Sequence, residues 1–514
     1  MVDLPARPGS SGRHAAPEAR PPLSWPAILA VTGPAAIVLL LSATRYGYFG
    51  DEMYFLAAGR RPSVGYADQG PVLPLLARLM DTIDPGSFFV LRLPAVLLTV
   101  VAIVLCAMIA REFGGGRWAQ ALAALGYATS PFLLLQGAML TTNAVDTALW
   151  AMITWLVVRW VHTRNDWLLL AAALITAVDM QVKWLIPFFW LAVAVTSLVF
   201  GPRELVRRPL LWVGGVIVVA ATVPELLWQH KHDWPQLEMG RIIADEQGIF
   251  GGKVLFVPMA VMLAGYLGSV LLIWGLWALL RWDSLRPFRF LGATLIALFV
   301  AFIATGGRIY YAAGMYAAMI AAGAFALVAT AERVKPVWRR VLVTGTALLS
   351  LAATVFVLYA TPWRAAGDIH PPKDDAEAAI NIGTYGSFGW HELTDEVVRD
   401  YDALPPAERA HTVIIADTYW QASALDQMGR KQLPPIYSPS RGFGYFGTPP
   451  DDASAVLAVG GYEAVLRTQF DHVDAVGKVD TRLGFSGNTQ NVTIWRCTGL
   501  KKPWAQVWPN WMHL

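Results

Sequence analysis

The residues best suited to chemistry in this 514-residue chain lie in the stretch Arg45-Tyr-Gly-Tyr-Phe-Gly-Asp51-Glu52-Met-Tyr54. It follows directly on an apolar run, so two adjacent carboxylates stand at the end of a membrane-length segment, among aromatics of the kind that sit at headgroup depth. A carboxylate placed there is suited to act as general base on a hydroxyl that meets a lipid-borne donor. The same pair is also what a solvated turn or a helix start after Gly50 carries, because acids in a first turn are favoured by the helix dipole. Asp146, in Thr141-Thr-Asn-Ala-Val-Asp146 at the head of a later apolar run, has the same two readings.

The elements that must hold these residues are membrane helices. The chain is 55% hydrophobic and only 15% charged, against about 25% charged in soluble domains. Its 22 Trp, 16 Tyr and 22 Phe supply many interfacial anchors. Apolar runs predict helices near 26–44, 88–110, 117–135, 143–162, 167–181, 184–200, 210–228, 254–280, 290–305, 309–330 and 340–360. The connections 111–117, 159–166, 201–209, 281–289 and 332–340 carry most of the loop arginines, which makes their side cytoplasmic. Two long loops, 45–87 and 229–253, then face outward, and an odd number of spans puts the C-terminal region outside as well.

The expected organisation is a disordered cytoplasmic tail over 1–25, a transmembrane domain over 26–363 and an extracytoplasmic domain over 364–514. The tail 1–25 lacks the apolar core and cleavage site of a signal peptide. The C-terminal region has a net charge of −5, against +8 for the rest of the chain. There, HTVIIADTYWQASALDQMGR and AVLAVGGYEAVLRTQF each read as strand then helix, and VTIWRCTG as a last strand, giving a small α/β domain. Two cysteines, Cys106 and Cys497, make no thiol framework. Only 9 of the 40 basic residues are Lys, an arginine bias that points to a GC-rich bacterial genome. His230, His232, Asp233 and Glu238 have the irregular spacing of a solvated loop and not that of a metal cluster. Gly442-Phe-Gly-Tyr-Phe-Gly447 reads as an aromatic turn, without the strand-to-helix context of a nucleotide loop.

The Asp-Glu pair after the first span, followed by Tyr66-Ala-Asp-Gln-Gly-Pro71-Val-Leu-Pro74, resembles the first outer loop of the family 39 membrane glycosyltransferases, which include protein O-mannosyltransferases and the bacterial aminoarabinose transferases of lipid A. Thr141 to Asp146, His232-Asp-Trp-Pro-Gln-Leu-Glu-Met and Gly307-Arg308-Ile-Tyr310-Tyr311 follow in the family's order. The resemblance implies a polytopic α-helical membrane protein of the GT-C fold, with about 11 spans and a small outer α/β domain. It implies an inverting transferase that takes a sugar from a polyprenyl-phosphate carrier to an acceptor hydroxyl or phosphate on a protein, lipid or polysaccharide, at the outer face of the cytoplasmic membrane.

In that reading Asp51 is the base, Glu52 supports or replaces it, and Asp146 is the second carboxylate. The leaving phosphate needs cations and donors, and the assigned candidates are Arg308 with Tyr310 and Tyr311, then Lys183, Tyr54, Gln69 and Arg241. A helical i,i+4 pair with Asp179 is the plain alternative for Lys183, and solvent exposure that for Arg241. The aminoarabinose branch has a lysine in the first-loop segment where this chain has Asp68-Gln69-Gly70-Pro71, so the metal requirement stays open and a divalent cation is a candidate cofactor. The competing functional classes are a transporter or flippase and a non-catalytic binding protein for lipid-linked saccharides. The scarcity of ionisable residues at mid-membrane and the absence of visible internal repeats weigh against transport.

Overall fold

A computed structural model describes residues 20–246 and 252–514. The expected tail 1–25 therefore lies mostly outside the described residues, as does part of the second long loop. Helices occupy all eleven predicted positions: α1 (Trp25–Ser42), α4 (Phe88–Glu112), α5 (Arg117–Ala128) with α6 (Pro131–Gln136), α7 (Thr142–Thr163), α8 (Trp167–Met180), α9 (Ile186–Phe200), α10 (Pro209–Lys231), α12 (Gly252–Met262) with α13 (Gly265–Arg281), α14 (Arg289–Thr305), α15 (Tyr316–Arg333) and α16 (Pro336–Ala360). The first long loop folds into α2 (Gly50–Gly59) and α3 (Val72–Ile83), and the second carries α11 (Pro235–Glu246).

Seven of the described helices are long and apolar enough to cross a membrane, or eight if α12 and α13 count as one span bent by 104°. α8 and α9 are apolar but only 14 and 15 residues long. The run 254–280, expected as one helix, breaks where Gly265 takes φ +75° and its Cα side faces the Pro131 ring too closely to carry a side chain. Lipid-facing surface is plain on α16, where Val337, Trp338, Leu348, Leu351 and Val355 are exposed and only Ala353 and Val357 are buried.

The basic connections do gather on one face. Arg20, Arg111 and Arg159 all pair with the buried Glu112. Arg164 and Arg208 lie over the Trp160 ring, Phe288 packs on Phe113 and His162, and Arg333 covers Trp282. The first loop, the second loop and the C-terminal region meet at the opposite end of the bundle.

After α16 come short helices α17 (Asp375–Ile380), α18 (Ile382–Tyr385), α19 (Trp390–Ala403) and α20 (Pro406–Arg409). The sheet then forms from β1 (Thr412–Ala416), β2 (Ile436–Tyr437), β3 (Ala455–Val459), β4 (Phe470–Val479) and β5 (Val492–Leu500), in the order β2-β1-β3-β5-β4. β1 is parallel to β2 and β3, while β3–β5 and β5–β4 are antiparallel. Thr-Val-Ile-Ile-Ala in β1 is buried throughout, as a β-branched strand covered on both faces must be. α21 (Tyr419–Met428) and α22 (Glu463–Gln469) follow β1 and β3 as the strand-helix patterns predicted, and α23 (Trp504–Trp511) closes the chain. The β4–β5 hairpin partner and the four helices before β1 had no sequence expectation.

The sheet domain does not hang free. Tyr48, Phe49, Met53 and Tyr54 of the first loop share one apolar cluster with Trp390, Ile414, Trp420, Leu425, Phe443 and Ile494. Burial of this joint core fixes α2 against α21, and Asp426 of α21 completes the join by pairing with Arg60 and, at 3.0 Å, Arg61. Burial raises the Asp426 pKa, but the two guanidiniums outweigh it and hold the carboxyl below its usual value.

Candidate functional site

The two adjacent carboxylates part company at the first turn of α2, since successive helical residues point about 100° apart. Glu52 turns inward and is fully buried. Its Oε1 accepts from Arg92 Nε at 2.8 Å and Leu140 N at 2.9 Å, and its Oε2 from Arg92 Nη2 at 2.7 Å and Phe49 N at 2.9 Å. Arg92 also donates to the carbonyls of Ala43, Tyr46 and Gly47. Glu52, expected to support or replace Asp51 as base, thus has both oxygens engaged in a buried ion pair that ties the end of α1 to α2 and α4.

Asp51 turns toward the sheet domain. Its Oδ1 accepts from the Tyr419 hydroxyl and from Trp420 Nε1, both at 2.8 Å. These donors lie in the first turn of α21, whose start is fixed by a capping box between Thr418 and Gln421. The positive end of that helix dipole also favours a carboxylate. Trp420 comes this close only because residue 50 is glycine, since a Cβ there would lie 2.2 Å from the indole ring. Both donors act on Oδ1, and among the described residues no hydrogen bond occupies Oδ2.

Asp68, which the sequence offered only as part of a motif, joins Asp51. The Tyr54 hydroxyl donates to its Oδ1 at 2.8 Å. Burial pushes the Asp68 carboxyl up to about 6, with the Asp51 charge adding to the rise and Tyr54 and Arg441 opposing it. Burial likewise raises the Tyr54 and Tyr419 hydroxyls well above the usual range. The turn Arg441–Phe446 packs against these groups, with Gly442 beside the Tyr54 hydroxyl and Asp68 Oδ1. Arg441 has φ +47° and its guanidinium stacks over the Tyr419 ring at 5.1 Å. A Cβ on Gly442 would fall 1.8 Å from the Tyr54 hydroxyl, so only glycine lets the turn approach. Burial would lower the Arg441 pKa, but the acidic neighbours Tyr419, Asp68, Asp51 and Glu246 carry it above its usual value.

The cationic side lies next to this. Arg308 pairs with Glu246 at the end of α11, and Arg441 Nη2 lies 3.8 Å from the other oxygen of the same carboxylate. Lys183 Nζ donates to Asn143 Oδ1 at 3.0 Å and sits over the Tyr310 and Tyr311 rings at 5.0 and 4.7 Å. The Lys183 amide still donates to the Asp179 carbonyl at 2.8 Å, but among the described residues no ion pair joins the two side chains. Asp146, one turn along α7 from Asn143, is buried, with Oδ1 lacking a hydrogen-bond partner. Tyr311 feels Arg308, Glu246 and Asp146 together, and its hydroxyl is raised mainly by burial. A continuous set of contacts thus runs from Asp51 through Tyr419, Arg441, Glu246, Arg308 and the two tyrosines to Lys183 and Asn143.

Five assigned residues stand outside this set: Glu52, Asp146, Tyr54, Gln69 and Arg241. Arg241, expected on the donor side, is 81% exposed and pairs with Glu238 one turn away. Gln69 is buried with its amide nitrogen unpartnered, while Gly70 beside it packs on Gln181. Tyr54 serves Asp68 and touches no cation. The residues that sequence reasoning missed are Asp68, Arg92, Glu246, Tyr419, Trp420 and Arg441. Asp68 alone had a local signal, in Tyr66-Ala-Asp-Gln-Gly. Among the described residues no group of three or more His, Cys, Asp or Glu is placed to hold a metal ion, and His232 is stacked on Trp228.

Residues 68–228 match the family described as dolichyl-phosphate-mannose-protein mannosyltransferase. No curated protein matches the chain in sequence. Among solved structures, ArnT from Cupriavidus metallidurans bound to undecaprenyl phosphate is 16% identical with a TM-score of 0.57, covering 91% of this chain and 97% of that one. Its apo state gives 15% identity, a TM-score of 0.56 and the same coverage. The arabinofuranosyltransferase AftD from Mycobacteria is 13% identical with a TM-score of 0.51, covering 93% of this chain and 40% of that one. With the apolar helices and the small sheet domain, these likenesses show a polytopic membrane protein whose fold is that of ArnT and AftD.

Proposed function

We propose that this protein transfers a glycosyl group from a polyprenyl-phosphate carrier to an acceptor hydroxyl, at the outer face of the cytoplasmic membrane. The observation that carries the reading is Asp51, anchored through Oδ1 by Tyr419 and Trp420 beside a row of cations. The sequence match to a mannosyltransferase family and the likeness to a transferase bound to undecaprenyl phosphate support the lipid-linked donor. They favour this reading over transport or simple binding.

In the reaction the acceptor hydroxyl donates its proton to Asp51 Oδ2 as its oxygen bonds to the anomeric carbon. The bond from that carbon to the carrier phosphate breaks, the configuration inverts, and polyprenyl phosphate leaves with the electron pair. Lys183 and Arg308, backed by Tyr310 and Tyr311, balance the charge that develops on the phosphate. Asp146 orients Lys183 through its own helix, which also carries Asn143. The sheet domain, with the rest of 364–514, lies outside the membrane and supplies the partners of the base, and the basic face with the N-terminus is cytoplasmic.

The test is transfer by protein in nanodiscs from a panel of radiolabelled polyprenyl-phosphate monosaccharides to a membrane extract. Wild type should move label from one donor and Asp51→Asn should not. If no donor is consumed while carrier lipid still binds, the transferase reading is wrong.

A further inference from the structure

Two arginines from opposite halves of the molecule converge on one carboxylate. Arg308 belongs to the loop before α15 and Arg441 to the sheet domain, and each addresses a different oxygen of Glu246. All three side chains are partly withdrawn from solvent, at 17%, 31% and 34% exposure for Arg308, Arg441 and Glu246. Two guanidiniums that grip the two oxygens of one anion form a geometry suited to a phosphate, whose oxygens have similar spacing and greater charge. The backbone is committed to this placement. Arg441 holds a left-handed φ of +47°, its amide donates to the His513 carbonyl at 2.6 Å, and the next residue must be glycine. A strained, over-determined backbone of this sort is what functional positions show.

We propose that Arg441, supplied by the sheet domain, is a second phosphate-binding cation beside Arg308, and that Glu246 occupies the phosphate position in the free protein and is displaced by the polyprenyl phosphate. The inference rests on the donor chemistry proposed above. It gives the sheet domain a direct part in donor binding, because the phosphate bridges the membrane helices and the outer domain. It also predicts competition: the carboxylate and the phosphate share the same two cations, so weakening one strengthens the other.

The experiment is direct binding of undecaprenyl phosphate to protein in nanodiscs, with undecaprenol and inorganic phosphate as separate arms. Arg441→Gln should weaken undecaprenyl-phosphate binding by about tenfold to a hundredfold, the loss of one charged hydrogen-bonding partner. Arg441→Lys should restore much of it. Glu246→Gln should tighten binding by about threefold to tenfold, a change that misfolding cannot produce. Undecaprenol should bind alike to all four proteins, and inorganic phosphate should not displace the lipid at equal concentration. Unchanged binding in Arg441→Gln, or weaker binding in Glu246→Gln, overturns the inference while leaving the transferase reading intact. Displacement by equimolar inorganic phosphate overturns the lipid as the source of the anion. Failure of the wild type to prefer undecaprenyl phosphate over undecaprenol instead sinks the donor chemistry itself.

Discussion

Replacing each of the adjacent acids 51 and 52 by its amide separates two effects that the sequence cannot separate. Glu52→Gln keeps the side-chain shape but removes the charge that balances Arg92 in a site where the two side chains are 0% and 2% exposed. It also turns an acceptor into a donor facing either Arg92 and Phe49 or Arg92 and Leu140. Removing one partner of a buried ion pair costs about 3–5 kcal/mol, which is a large part of the ~5–15 kcal/mol by which folded proteins are stable. Asp51→Asn has the opposite profile. The amide oxygen still accepts from Tyr419 and Trp420, so the fold should change by less than about 1 kcal/mol. The amide cannot take a proton, and transfer should fall by about a hundredfold to ten-thousandfold. Thermal unfolding at one scan rate in one detergent, with transfer measured on the same samples, reads both effects. The expected result is a midpoint lowered by several degrees in Glu52→Gln and unchanged in Asp51→Asn, with transfer lost in the latter. A stable Glu52→Gln protein that has lost transfer, or an active Asp51→Asn protein, would refute the reasoning and make Glu52 the base.

Tyr419→Phe and Trp420→Phe each remove one hydrogen bond to a charged acceptor, worth about 1.5–3 kcal/mol; steady-state kinetics should show a lower kcat with donor KM nearly constant. Gly442→Ala drives a Cβ into the Tyr54 hydroxyl and should destabilise by about 1–3 kcal/mol, read by unfolding, with transfer lost as the turn moves off Asp68. For Asp68, the folded protein holds its proton up to about pH 6, whereas an unfolded chain releases it near about 4. The native state then binds more protons between those values, so stability should fall as pH rises across that window and level off above it, by at most about 3 kcal/mol. Asp68→Asn should remove that share of the slope, so the variant's stability should fall less than the wild type's across the window in unfolding measured against pH. Lys183→Met removes the donor to Asn143 and the cation over Tyr310 and Tyr311, and should raise donor KM at least about tenfold.

Much of the architecture was legible because the membrane imposes strong patterns. A run of apolar residues long enough to cross hydrocarbon must be helical, and helices stand at all eleven predicted positions. Arginine-rich connections gather on one face for the same reason. The strand-helix alternation of the sheet domain was readable from its periodicity, down to β1, α21, β3, α22 and β5. Lengths and breaks were less legible: the bend between α12 and α13 depends on how Gly265 meets Pro131, more than 130 residues away in sequence.

By itself the sequence determined the membrane class, the helix positions, the strand-helix pattern of the C-terminal domain and the acid pair after the first apolar run. Only the tertiary structure decided which acid is buried and which is presented, because the choice depends on Arg92, 40 residues from Glu52, and on Tyr419 and Trp420, 368 and 369 residues from Asp51. The convergence of Arg308, Glu246 and Arg441 was equally invisible, since no local periodicity relates a membrane loop to a turn in a distant sheet domain. A helix announces itself through its neighbours in sequence, whereas a site assembled from distant segments is set by how the bundle and the sheet dock, which burial of their shared apolar core determines.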